Sequence, residues 1–273
     1  MTAVSQTKKQ QIIDRLKSVE QNHNVKILLA IESGSRVWGI YSEDSDYDVR
    51  FIYVRPTEDY ISIREMRDVI EAELNEEYDI VGWDLKKAMR LASKSNANYI
   101  TWLTSTIKYT ENKDFTDLAI KALEGNLNHR AYCEHHVGVL NTTLTTYLLK
   151  PTVAPKKYFY ALIPMASVDL FLQHQTLPSL DFNTMMQGVQ NIDNPWPTEV
   201  LSTINDLLEI KQAGHEKDKI PTIKILDDFI TNWYKNFTHV RRDTIQCNAV
   251  DPEPFDQLFK TFAMTYGNLE GIA

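Results

Sequence analysis

Along the first hundred residues the apolar positions follow two different periods. Between Thr7 and Gln21 they fall at Ile12, Ile13, Leu16 and Val19, a helical spacing that predicts an amphipathic opening helix. Val25 to Ile31 (VKILLAI) is a short continuous apolar run with β-branched members, which predicts a buried strand ending at the turn signal Glu32 to Ser35, ESGS. Arg36 to Ile40 predicts a short helical turn, and Ser42 to Ser45 a polar connection. Tyr47 to Val54 (YDVRFIYV), closed by Pro56, predicts a second strand; Val69 to Glu73 is a weaker extended segment, and Tyr78 to Trp83 (YDIVGW) a third strand. Asp84 stands where an N-cap belongs, ahead of a helix from Leu85 to Ala92. Strands and helices thus alternate, as in an α/β or α+β domain.

After about Ser105 the period becomes helical throughout. Asp114 to Leu123, Tyr132 to Leu149, Tyr158 to His174, Phe182 to Val189, Thr198 to Ala213 and Ile223 to Asn236 each carry it, with breaks at Pro151, Pro155, Pro178, Pro195, Pro197 and Pro221. The expected organisation is a mixed β-sheet domain over residues 1–110 and an all-helical domain over 111–273.

Composition narrows the class. The apolar fraction of 43% and charged fraction of 24% are those of a soluble globular chain of 273 residues, long enough for a sizeable core. The net charge of −8 argues against a protein that coats nucleic acid, so a polyanionic partner needs a local basic patch or bridging cations. Cys133 and Cys247 are far apart with no metal-ligand spacing, and are expected to be reduced and buried. His135 and His136 are adjacent and diverge on a helix, a spacing that argues against a zinc site. With neither an apolar leader nor a stretch of about 20 apolar residues, the expected compartment is the cytoplasm, with no membrane contact.

The informative stretch is Glu32 to Tyr53, ESGSRVWGIYSEDSDYDVRFIY. A Gly-Ser turn follows one strand, and Asp46-x-Asp48 opens the next. Residues two apart on a strand share a face, so Asp46 and Asp48 are expected to converge, and two carboxylates in one small volume favour cations between them. Magnesium or manganese suits such hard oxygen donors. Gly34 permits a tight turn, and the amides after it, with the Ser35 hydroxyl, can cradle triphosphate oxygens. This combination suits two-metal transfer of a nucleotidyl group. A third carboxylate is expected from Asp79 or from Asp84, the latter also reading as a helix cap. Arg50 shares the Asp48 side of its strand and, like Arg36, reads either as a phosphate contact or as an ordinary ion pair. Trp38 and Trp83 read as core or domain-interface aromatics rather than base-stacking platforms. Asp44, Asp46 and Asp48 also spell D-x-D-x-D, but a calcium loop would need glycine and glutamate where Val49 and Arg55 stand. A solvated acidic turn with no ligand is the plainer alternative.

Four blocks carry a family resemblance: Glu32 to Val54, Gly82 to Met89 (GWDLKKAM), Lys94 to Leu103 (KSNANYITWL) and Lys156 to Leu162 (KKYFYAL). Together they resemble the predicted nucleotidyltransferases associated with RNA repair, within the DNA polymerase β superfamily. The resemblance implies an α+β nucleotidyltransferase-like mixed sheet with helices. Asp46 and Asp48 would be metal ligands, Gly34 and Ser35 would lie on the nucleotide side, and the third carboxylate would map to the strand of Asp79, with Asp84 in the Gly-Trp-Asp block. It implies transfer of a nucleoside monophosphate from a nucleoside triphosphate to a hydroxyl, with RNA ends as acceptors. Lys156 and Lys157 are the candidate phosphate contacts of the helical part. Two departures stand out: Ile163 precedes Pro164 where arginine is usual, and Ala97 follows Asn96 where proline is common. The competing expectations are a transferase that modifies a protein side chain and a weakly catalytic module that binds nucleotide or RNA.

Overall fold

The computed structural model describes residues 3–43, 45–215 and 218–266; Asp44 of the D-x-D-x-D run lies outside them. In chain order the first elements are α1 (Gln6–His23), β1 (Lys26–Glu32), α2 (Gly34–Val37), β2 (Tyr47–Val54), α3 (Thr57–Ile61), β3 (Val69–Leu74), β4 (Tyr78–Asp84), α4 (Leu85–Ala92), α5 (Ala97–Thr104), β5 (Lys108–Glu111) and α6 (Lys113–Leu123). They are followed by α7 (His129–Thr143), β6 (Thr152–Val153), α8 (Pro155–His174), α9 (Phe182–Gly188), α10 (Thr198–Ile210), β7 (Ile220–Pro221), α11 (Lys224–Asn236) and α12 (Glu253–Tyr266). The fold is α+β: a mixed five-stranded sheet with helices, then a largely helical region.

The sheet order is β3-β4-β2-β1-β5, antiparallel throughout except for the parallel pair β2 and β4. Parallel strands need a long crossover, supplied here by α3 and β3. Strand β1 is interior to the sheet and α1, α5 and α6 pack against it, so it is buried from Ile27 to Glu32, in keeping with its unbroken apolar run. Helix α1 begins at Ser5, whose side chain accepts from the Lys8 amide, and ends at Asn24 in the left-handed conformation. It buries Ile12, Leu16 and Val19 in a core shared with Val49, Phe51 and Ile80 of the sheet.

The chain forms two compact units, neither of them continuous in sequence. The first takes Met1–Val37, Asp46–Asn128 and Asn248–Ala273; the second takes Trp38–Ser45 and His129–Cys247. A linear cut at residue 110 therefore differs from the contact units. Strand β5 completes the main sheet, α6 stays with it, and α12 returns to the first unit. There Phe262 meets Phe115 edge-on at 5.3 Å, and the Tyr266 hydroxyl accepts from the Asn112 amide at 2.7 Å. In the second unit α8 is buried over most of its length, starting with Pro155 in its first turn, where the missing N–H costs nothing. It carries a core with Leu140, Phe182, Trp196, Ile204 and Ile230, against which Trp38 packs. The two short strands β6 and β7 pair antiparallel within this otherwise helical unit. Cys133 is buried as expected, whereas Cys247 is exposed because it sits in irregular chain after the last helical turn of the unit.

The Gly-Trp-Asp run of β4 owes each of its residues to packing. A Cβ on Gly82 would lie 2.1 Å from Cε2 of Phe51, whose ring is fully buried on β2. Trp83 stacks on Trp102 with ring centroids 3.7 Å apart. Asp84 caps α4 by accepting from the Lys86 amide. Gly82→Ala should therefore destabilise the chain by about 1–3 kcal/mol through overpacking. That corresponds to a thermal midpoint lower by about 2–4 °C per kcal/mol. An unchanged midpoint would show that Phe51 has room to yield.

Candidate active site

The site grows from the end of the β1–β2 ladder. Glu32 closes β1 opposite Val49, and the Ser33 amide donates to the Asp48 carbonyl at 2.8 Å, extending the pairing by one residue. Gly34 follows with φ +62°, a left-handed conformation that favours glycine. The turn also presses against Asp48: a Cβ on Gly34 would fall 2.2 Å from Asp48 Oδ2. Ser35, half-buried in the short helix α2, has no hydrogen-bond partner for its hydroxyl among the described residues.

The parallel register of β2 and β4 sets Asp48 beside Asp79. Arg50 stands between them. Its Nη2 lies 3.0 Å from Asp48 Oδ1 and 2.7 Å from Asp79 Oδ2, while Nη1 donates to the Asp79 carbonyl at 2.7 Å. The guanidinium bridges two carboxylates that would otherwise repel and offsets one of their two charges, and all three side chains are about one-fifth to one-quarter exposed. Arg50 thus forms an ion pair with each of the two aspartates. Asp46 is exposed, one residue ahead of β2.

Behind Asp48 lies a carboxylate to which sequence reasoning gave no role. Glu32 is fully buried; its Oε1 accepts from the Asp48 amide at 3.0 Å, and its Oε2 is 2.5 Å from the Tyr109 hydroxyl. Burial pushes Glu32 up to about 7, against the opposing pull of the Tyr109 and Asp48 hydrogen bonds. Glu32 and Tyr109 brace the backbone that carries Asp48. The available signal was an acid closing an otherwise apolar strand, VKILLAIE.

The remaining candidates stand elsewhere. Asp84 is at the opposite end of β4 from Asp79, five residues or roughly 16 Å away along a strand. It is buried, caps α4, accepts from the Tyr60 hydroxyl at 3.1 Å and pairs with Arg55 at 3.4 Å. Its oxygens thus serve the helix cap, Tyr60 and Arg55, away from the pair Asp48 and Asp79. Arg36, next to the glycine turn, is buried. Its guanidinium donates to the Asp46 and Ala3 carbonyls and lies over the Tyr47 ring at 4.0 Å. Lys156 and Lys157 belong to the second unit, at the start of α8, where Lys157 Nζ lies 4.0 Å from the centre of the Tyr147 ring.

Among the described residues no three histidine, cysteine or acidic side chains form a ready-made metal cluster. The donors nevertheless fit a magnesium-like ion. Such an ion is held by one or two carboxylates and takes its other ligands from water and substrate phosphates, and Asp48 and Asp79 offer partly exposed oxygens beside a close-approach glycine turn. Among the described residues no helix is long and apolar enough to cross a membrane.

A profile of the RNA repair pathway DNA polymerase beta family (RlaP) matches residues 8–261. The uncharacterized protein YcgL of Bacillus subtilis (strain 168) is 40% identical over 222 residues, which cover 81% of this chain and 84% of that protein. A match over nearly the whole length, through the strands that carry Asp48 and Asp79, leads to one conclusion: the chain belongs to the RNA repair pathway DNA polymerase beta family, a polymerase-β-like nucleotidyltransferase family linked to RNA repair.

Proposed function

We propose that this protein transfers a nucleoside monophosphate from a nucleoside triphosphate to a hydroxyl at an RNA end, using Mg2+ or Mn2+. The observation that carries the reading is the meeting of Gly34, Asp48 and Asp79: two carboxylates share one guanidinium, with a tight glycine turn against one of them. The catalytic domain is then the first compact unit, a refinement of the linear span 1–110.

Asp46, Asp48 and Asp79 would hold the divalent cations, which when bound neutralise phosphate charge and lower the pKa of a coordinated hydroxyl. The amides after Gly34 and the Ser35 hydroxyl, which has no hydrogen-bond partner among the described residues, receive triphosphate oxygens. Asp79 orients the acceptor hydroxyl and takes its proton as the bond to the α-phosphorus forms and pyrophosphate departs. Arg50 keeps the two aspartates together and counters their charge, and Glu32 with Tyr109 fixes the backbone beneath Asp48. Lys156 and Lys157 contribute positive charge toward the polyanionic substrates. RNA is chosen as acceptor because the family is linked to RNA repair.

The test is incubation with each labelled triphosphate and with RNA, DNA or protein acceptors, in Mg2+, in Mn2+ and with excess chelator. Label should appear on RNA in either metal and disappear with chelator. Label on a protein instead would reassign the acceptor, and no label on any acceptor with either metal would overturn the proposal.

A further inference from the structure

The second unit has a cavity of its own, about 590 Å3, formed from α8, α11 and the chain between α9 and α10. Its lining includes Trp196, Phe229, Trp233, Asn232, Asn236 and Arg241. The size is that of a small-molecule site.

Asp169 organises it. This residue is buried on α8, where an unpaired carboxylate would be costly, and the hydrogen bonds of its carboxylate go to residues of the cavity wall. Its Oδ2 accepts from the indole N–H of Trp196 and from that of Trp233, each at 2.9 Å, and its Oδ1 lies 2.6 Å from Arg241 Nη1. One anion thus fixes two indole rings drawn from different segments, and Phe229 meets Trp196 edge-on at 5.1 Å. Charge in the lining is nearly balanced: Asp169 is matched by Arg241, and Asp193 adds a negative group, so the cavity is not a phosphate site. Among the described residues the side-chain amides of Asn194, Asn232 and Asn236 have no hydrogen-bond partner. Each offers both donors and an acceptor.

Locked aromatic rings beside free amides, without net positive charge, suit a neutral planar heterocycle whose edge carries N–H and C=O groups. We propose that this cavity binds a nucleobase, carried either by a free nucleotide or by single-stranded RNA. The inference deepens the function proposed above and rests on it for the choice of a nucleobase among flat heterocycles.

Binding is measured by tryptophan fluorescence and calorimetry in Asp48→Asn protein without divalent cation, so that the transfer site contributes little. The ligands are the four nucleoside monophosphates, a single-stranded RNA tetranucleotide and ribose 5-phosphate. Base-bearing ligands should bind and ribose 5-phosphate should not. The double variant Asn232→Leu/Asn236→Leu, and separately Trp233→Leu, should each weaken binding about tenfold or more. Binding of mononucleotides alone assigns the site to a free nucleotide, binding of RNA alone assigns it to a strand, and both support the inference. Equal binding of ribose 5-phosphate, unchanged affinity in the Asn232→Leu/Asn236→Leu protein, or no binding of any base would overturn it. The transfer assay reports on the proposed activity separately, because no transfer is measured here.

Discussion

Asp48→Asn should lower nucleotidyl transfer by about a thousandfold or more while leaving the thermal midpoint within a few degrees of the wild type. The two outcomes separate because the side chain and the backbone of Asp48 have different tasks. The backbone is held by the Ser33 amide and by Glu32, and asparagine disturbs neither contact. The carboxylate faces the site, and losing its charge removes most of the electrostatic contribution of a bound cation, several kcal/mol at about 1.4 kcal/mol per factor of ten. Arg50 retains Asp79, so the loss of one partly exposed ion pair costs at most about 1 kcal/mol. Single-turnover transfer with saturating triphosphate, alongside thermal unfolding, checks both halves. Transfer within tenfold of wild type would remove Asp48 from the metal site.

Gly34→Ala should cut kcat/KM by about a hundredfold or more at a stability cost of only about 1–2 kcal/mol. The added Cβ would sit 2.2 Å from Asp48 Oδ2, the terminal atom of a side chain rather than backbone, so the carboxylate has to turn away from its place beside Arg50. That rotation removes it from the place where a cation would meet the triphosphate, and misplacement of a catalytic group by about 1 Å is worth roughly this much in rate. Backbone strain has to be separated from this effect, because alanine is also disfavoured at φ +62°. Gly125 provides the control, with φ +79° and nothing within 4 Å of the position a Cβ would take. Gly125→Ala should cost comparable stability and leave transfer unchanged. Equal activity in the two variants would mean that the Gly34 turn does not shape the site.

These expectations rest partly on features legible in the chain and partly on one that was not. The strands carrying Glu32, Asp48 and Asp79 are apolar runs bounded by turn residues, and each forms close to its expected limits. What the chain does not display is the parallel pairing of β2 with β4, a contact across some thirty residues, and this alone sets Asp48 against Asp79. The same pairing puts Asp79 beside Asp48 and Asp84 beside Tyr53, at opposite ends of one strand. Strand β5 escapes notice because it has four residues and a single buried side chain, Tyr109, and sequence does not reveal that this tyrosine meets Glu32. Helix α12 lies beyond the last segment assigned from periodicity, although Phe255, Leu258, Phe259 and Phe262 carry the spacing. Nor does the chain display that Arg36, one residue past Ser35, is buried with its guanidinium on the Asp46 and Ala3 carbonyls.

The return of α12 to the first unit bears on how the protein is made. Its Phe262 contact with Phe115 of α6, its Tyr266 contact with Asn112, and the Ala263 carbonyl that accepts from Thr57 belong to the body that carries Asp48. On the ribosome that body stays incomplete until all of residues 129–247 have been synthesised, a delay of roughly 6–24 s at ordinary elongation rates. A nascent chain interrupted within that interval would display its aspartates on a partly unwalled sheet, so translation itself postpones the assembly of the complete catalytic body.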